Sequence, residues 1–131
     1  MKKALSLIFT VLLLSMTTFG QDDAKSANES PEALVGSWQI DLTPSPGAEP
    51  YFQTIVVKKV SDDKLIGSFY GSNIKQAVLN TEWPKLYFAF TTSDKNNAYY
   101  HSGYLENGKL FGMTYCPDRD FAAPWTGTKN E

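Results

Sequence analysis

Cysteine, histidine and arginine are each represented once in this chain, by Cys116, His101 and Arg119. A single thiol cannot staple a monomer, so the fold must be held by packing rather than by a disulfide framework. One histidine, with the acids scattered, gives none of the clustered spacings that hold a metal ion, and no metal or other cofactor is expected. No serine, cysteine or histidine stands beside an orienting partner in a nucleophile pattern, so no catalytic residue is assigned. No basic run is present either, which argues against nucleic acid or an anionic membrane surface as a partner. Also missing is any stretch of ten or more residues with helical spacing downstream of residue 33.

The one long apolar run is at the start. Residues 1–20, MKKALSLIFTVLLLSMTTFG, combine a basic beginning, an apolar core of about a dozen residues and small residues near the end, the pattern of a secretory signal peptide. The run is shorter than the roughly 20 residues of a transmembrane helix, so a secreted or periplasmic protein with no membrane insertion after cleavage is expected. Cleavage would remove two of the 12 basic residues and none of the 14 acidic ones, leaving 10 against 14 and a formal charge of −4. Residues 21–33, QDDAKSANESPEA, are polar and without apolar period, and read as a short disordered tether.

From residue 34 to 131 the texture is that of a single β domain. Eight β-rich runs are separated by turn residues: Val35 to Leu42, Tyr51 to Val60, Lys64 to Tyr70, Ile74 to Thr81, Lys85 to Thr92, Ala98 to Leu105, Lys109 to Cys116, and Phe121 to Lys129. Ser61-Asp62-Asp63 and Asn107-Gly108 suit tight hairpins, and Ser93-Asp94-Lys95-Asn96 suits a short loop. Short connections favour pairing in sequence order, and closing the sheet removes aggregation-prone edges. The spacing therefore predicts an eight-stranded antiparallel up-and-down barrel, with a flattened β-sandwich as the alternative.

Alternation puts Trp38, Ile40 and Leu42 on one face of the first strand, and Leu86, Phe88 and Phe90 on one face of the fifth. The tyrosine-rich segment Asn96–Tyr104 divides into Tyr100, Ser102 and Tyr104 on one face and Tyr99, His101 and Gly103 on the other. A polar aromatic stripe of this kind can orient a small amphipathic molecule, or simply tile a half-buried sheet. Trp38, Phe88, Tyr100, His101, Tyr104 and Arg119 are the candidate ligand-binding residues, Arg119 because a guanidinium can clamp a carboxylate. It can equally pair with its neighbours Asp118 and Asp120 in solvent. Trp83 and Trp125, each beside a proline, would form an apolar patch if they shared a rim.

Gly36-x-Trp38 on the first strand, the Lys-Leu-x-Gly returning strands at 64 and 109, and the last strand Trp125-Thr126-Gly127-Thr128-Lys129 resemble small secreted bacterial lipocalin-like, or calycin, barrels. That resemblance implies a barrel over roughly residues 34–129, closed at one end by Gly36, Trp38 and Lys129, with Lys129 lying against the tryptophan. It also implies a non-enzymatic binding module for a small apolar or amphipathic ligand, or for an envelope protein partner. A small secreted enzyme using His101 and nearby tyrosines, and a periplasmic inhibitor, are the alternatives from other classes.

Overall fold

The structure is a computed structural model that describes residues 29–131. The expected signal peptide and residues 21–28 of the expected tether lie outside the described residues. Nine strands follow: β1 (Gly36–Asp41), β2 (Phe52–Ser61), β3 (Lys64–Phe69), β4 (Ser72–Asn73), β5 (Lys75–Asn80), β6 (Leu86–Ser93), β7 (Ala98–Glu106), β8 (Lys109–Cys116) and β9 (Phe121–Lys129). All pairings are antiparallel, and the order β4-β3-β2-β1-β9-β8-β7-β6-β5 brings the first and last long strands together at the centre of one sheet. A single sheet curled on itself is a barrel and not a sandwich.

Turn chemistry explains the hairpins. Asp62 and Asp63 (φ 50° and 55°) and Asn107 and Gly108 (φ 51° and 70°) adopt the paired left-handed conformation whose twist matches that of the flanking strands. The β3–β4 turn uses the same conformation at Tyr70 and Gly71 (φ 56° and 75°). Inside β3, Gly67 faces the bulge where the β2 register shifts between Val57 and Lys59, and a Cβ there would overlap the Val56 carbonyl.

The strand count differs from the sequence-based expectation at residues 72–80. Ser72–Asn73 pairs with β3, whereas Lys75–Asn80 pairs with β6, so the chain changes partner at Ile74. Ile74 turns toward the core and Gln76 takes a left-handed conformation (φ 50°). A two-residue strand is too short to carry a periodic signal, and the partner change is invisible to local pattern. Here the barrel is nearly closed: Ile74 N donates to Gly67 O at 3.0 Å, and Leu79 N to Asp63 O at 2.8 Å.

The interior half that holds Ile40, Ile55, Val57, Leu65, Leu79, Leu86, Phe88, Leu105 and Leu110 is solid. It ends at Trp38, which is 1% exposed. Residues 29–33, expected as tether, instead lead into a single 3-10 turn, Pro31–Leu34, capped by Ser30 and seated on that end of the barrel. Trp38 Nε1 donates to the Leu34 carbonyl at 2.9 Å. Lys129, opposite Trp38 in the β1–β9 register, holds its Nζ 5.3 Å from the tryptophan ring and donates to the Ala33 carbonyl at 2.9 Å. Gly36 (φ 137°) leaves room for the lysine stem, which a Cβ would strike.

Candidate functional site

Because every long strand alternates direction, the two barrel ends differ. The Trp38 end carries the tight turns and the 3-10 plug. The other end carries the long β1–β2 connection, the Tyr70–Gly71 turn, the Ser93–Asn97 loop and a second 3-10 turn, Pro117–Arg119. A depression of about 1800 Å³ opens there, bordered inside the barrel by Phe69, Thr92, His101, Thr114 and Trp125 and at the mouth by Tyr51, Tyr70, Tyr99, Arg119 and Phe121. It continues over the rim onto the outer face of β7–β9, beside Ser102, Tyr104 and Met113. That spread makes it larger than the roughly 300–1000 Å³ of an enclosed ligand pocket.

The floor is a polar chain set in aromatic surroundings. Trp125 Nε1 donates to Thr114 Oγ1 at 3.0 Å, Thr114 Oγ1 lies 2.8 Å from His101 Nδ1, and His101 Nε2 lies 2.9 Å from Thr92 Oγ1. Phe90 stacks on the imidazole at 4.7 Å between centroids, and Phe69 meets it edge-on at 4.9 Å. Burial in this cage pushes the His101 pKa down to about 4, so the ring is neutral at pH 7. Glycine supplies the space: a Cβ at Gly112 would be driven into the Trp125 indole, which Phe88 stacks against from below at 6.4 Å.

The mouth is ringed by phenols. Tyr51 and Tyr70 hydroxyls meet on one side. Across from them, Tyr99 donates its hydroxyl to Asp94 Oδ2 at 2.8 Å and accepts from Arg119 Nη1 at 3.2 Å. The Tyr51 hydrogen bond, and after it desolvation, raise the Tyr70 pKa. Asp94 accepts from the Asn96 and Asn97 amides at 2.8 and 2.7 Å, and with Tyr99 these bonds hold its carboxyl down at about 2. Arg119 lies over Phe121 at 5.7 Å.

The sequence-based candidates are only partly brought together. His101 borders the depression, and Arg119 stands at its mouth, bonded to Tyr99 and not paired with Asp118 or Asp120. Phe88 is core beneath the floor, and Trp38 closes the opposite end, so neither lines the depression. Tyr100 and Tyr104 face outward: Tyr100 is 48% exposed, and Tyr104 lies against Phe111 and Lys85 on the outer wall. The inward members of β7 are Tyr99, His101, Gly103 and Leu105, because His101 bonds inward-facing threonines of both neighbouring strands. Trp83 and Trp125 share no rim; Trp83 is 62% exposed at the closed end and Trp125 is 3% exposed inside.

Sequence reasoning missed Thr92, Thr114, Tyr51, Tyr70 and Asp94. A signal for the threonines exists: Phe88-x-Phe90-x-Thr92 and Leu110-x-Gly112-x-Thr114 each carry a polar residue on an otherwise apolar inward stripe. Nothing local marks Tyr51 and Tyr70, which meet across 19 positions of sequence. Among the described residues no group of three His, Cys, Asp or Glu side chains is placed to hold a metal ion. Comparison with protein families, with curated proteins and with solved structures returns no match for the chain.

Proposed function

We propose that this protein is an exported, non-enzymatic binding module of lipocalin-like type that takes a small amphipathic molecule into the open end of its barrel. The observation that carries the reading is the asymmetry of the ends. One is sealed by Trp38, Leu34 and Lys129, and the other opens into a depression with an aromatic wall, a polar floor and a phenolic rim. Convergent polar groups in an apolar concavity are what small-molecule sites share. The composition of residues 1–20 supports export. An acid–base role for His101 is poorly supported, since both ring nitrogens are engaged by threonine hydroxyls and no carboxylate bonds the ring among the described residues.

A thermal-shift screen of fatty acids, isoprenoid alcohols and porphyrins tests the reading. A binder at 100 times its Kd raises stability by about 2.7 kcal/mol, and Phe121→Ala at the mouth reduces the gain. Absence of a shift from every class would sink it. A second reading, docking of an envelope protein, is favoured by the outer wall, where Tyr100, Met113 and Tyr115 are 47–51% exposed side by side on β7 and β8. Tyr100→Ser with Tyr115→Ser separates the two, because it strips that wall and leaves the mouth intact.

A further inference from the structure

The polar chain across the floor contains more hydrogens than it can use. Four are available: the Trp125 indole N–H, the Thr114 hydroxyl, one N–H of the neutral imidazole, and the Thr92 hydroxyl. Three links connect these groups, Trp125 to Thr114, Thr114 to His101 and His101 to Thr92, and each link consumes one hydrogen. An indole can only donate, so the first link has a fixed direction. If Nε2 carries the imidazole proton, it donates to Thr92 and the Thr92 hydroxyl hydrogen is left over. If Nδ1 carries it, the Thr114 hydroxyl hydrogen is left over instead. Neither threonine hydroxyl has a further partner among the described residues. Both threonines are 5% exposed, and both border the depression.

One threonine hydroxyl hydrogen therefore has no protein acceptor among the described residues whichever tautomer is present, and both candidate hydroxyls border the depression. A buried donor without an acceptor is costly, and an incoming acceptor atom removes that cost. Resting on the binding reading above, we propose that the ligand is a mainly apolar molecule carrying a neutral carbonyl oxygen, which accepts this threonine hydrogen at the floor while its body packs against Tyr51, Tyr70 and Phe121 at the mouth. A carbonyl oxygen brings no hydrogen of its own and so completes the count. A carboxylate fits less well: Arg119 is held at the rim by Tyr99, and the nearby loop charges Asp94, Asp118 and Asp120 are acidic. Burying an anion without a cation beside it is strongly unfavourable.

The matched probes 2-acetylnaphthalene and 2-ethylnaphthalene differ in a carbonyl against a methylene. Measured by quenching of tryptophan fluorescence in the mature protein, the ketone is expected to bind at least as tightly as the more hydrophobic ethyl compound. The infrared carbonyl band of bound ketone should lie below its position in hexane, as a hydrogen-bonded carbonyl requires. Nitrogen NMR of His101 reads the tautomer and so names the donor, Thr92 or Thr114. Replacing that one by valine is expected to weaken the ketone roughly three- to tenfold and to leave the ethyl compound within about twofold, while serine in its place restores the wild-type preference. If both probes bind but the ethyl compound is favoured tenfold or more and the carbonyl band is unshifted, the carbonyl inference is overturned and the binding reading stands. If neither probe binds, the carbonyl inference is overturned, and the binding reading is decided separately by the thermal-shift screen. The infrared measurement on the wild type decides the matter even where a valine variant fails to fold.

Discussion

His101 sets how the molecule meets acid. Its folded pKa of about 4 lies below the ordinary 6.5 because Phe69 and Phe90 enclose a ring whose polar partners are the neutral Thr92 and Thr114 hydroxyls. Between those two values the unfolded chain binds a proton that the folded chain refuses, so stability falls as pH drops from about 6.5 to about 4, by roughly 3 kcal/mol in all. Above pH 6.5 both states are neutral and the effect vanishes. Asp94 acts in a lower window: its depressed carboxyl favours the folded state above its ordinary value of 3.8, and that contribution is lost as pH falls through about 2. Urea unfolding at pH 7 and pH 4.5 separates the two, because only the histidine window is crossed between them. The wild type is expected to lose midpoint concentration between these conditions, and His101→Phe is expected to lose markedly less. An equal loss in both proteins would show that the histidine does not carry the acid response.

At the level of elements, the two ends of the barrel use the same turn with different residues. At the closed end Asn107-Gly108 supplies the residue types that left-handed positions favour; at the open end the first position is Tyr70, a bulky side chain at φ 56°. Such a conformation costs a residue other than glycine, asparagine or aspartate about 1 kcal/mol or more. The phenol gained in return projects to the mouth and meets Tyr51. Tyr70→Asn is therefore expected to raise the thermal midpoint by roughly 4 °C or more while weakening capture of a ligand at the mouth. A lower midpoint would mean that the Tyr51 contact outweighs the backbone strain. The change of partner between β4 and β5 lies at the same scale. The run over residues 74–81 does form one strand, β5, but the short β4 before it and the seam between them are set by which strand lies across the gap, which local pattern does not report.

For the molecule as a whole, the proposed binding function rests on the barrel having one sealed end. The seal joins distant parts of the chain: Lys129 reaches the Ala33 carbonyl and covers the Trp38 ring. Removing the ammonium but keeping an apolar stem, as in Lys129→Met, is expected to cost about 1–2 kcal/mol from the lost hydrogen bond and cation–π contact. Guanidinium unfolding measures that loss. Probe binding at the mouth should be unchanged, because the solid layer of Ile40, Leu105 and Leu110 lies between the two ends. A large change in probe affinity would show instead that the ends are coupled.

The amino-acid sequence by itself determined the β character, the inward stripes of Trp38–Ile40 and Leu86–Phe88–Phe90, and the tight turns at Asp62-Asp63 and Asn107-Gly108. Those features follow from interactions among residues two to four positions apart. It also divided β7 into two correct sets of side chains, yet alternation alone is symmetric and does not say which set is inside. Only the tertiary structure decided that His101 and Tyr99 face inward and Tyr100 and Tyr104 outward, through the threonines that neighbouring strands present to the imidazole. It alone also placed the opening away from Trp38 and made Trp125 part of the floor. Both depend on strand register across the nearly closed sheet, where partners as far apart as Ala33 and Lys129 are brought into hydrogen-bond contact.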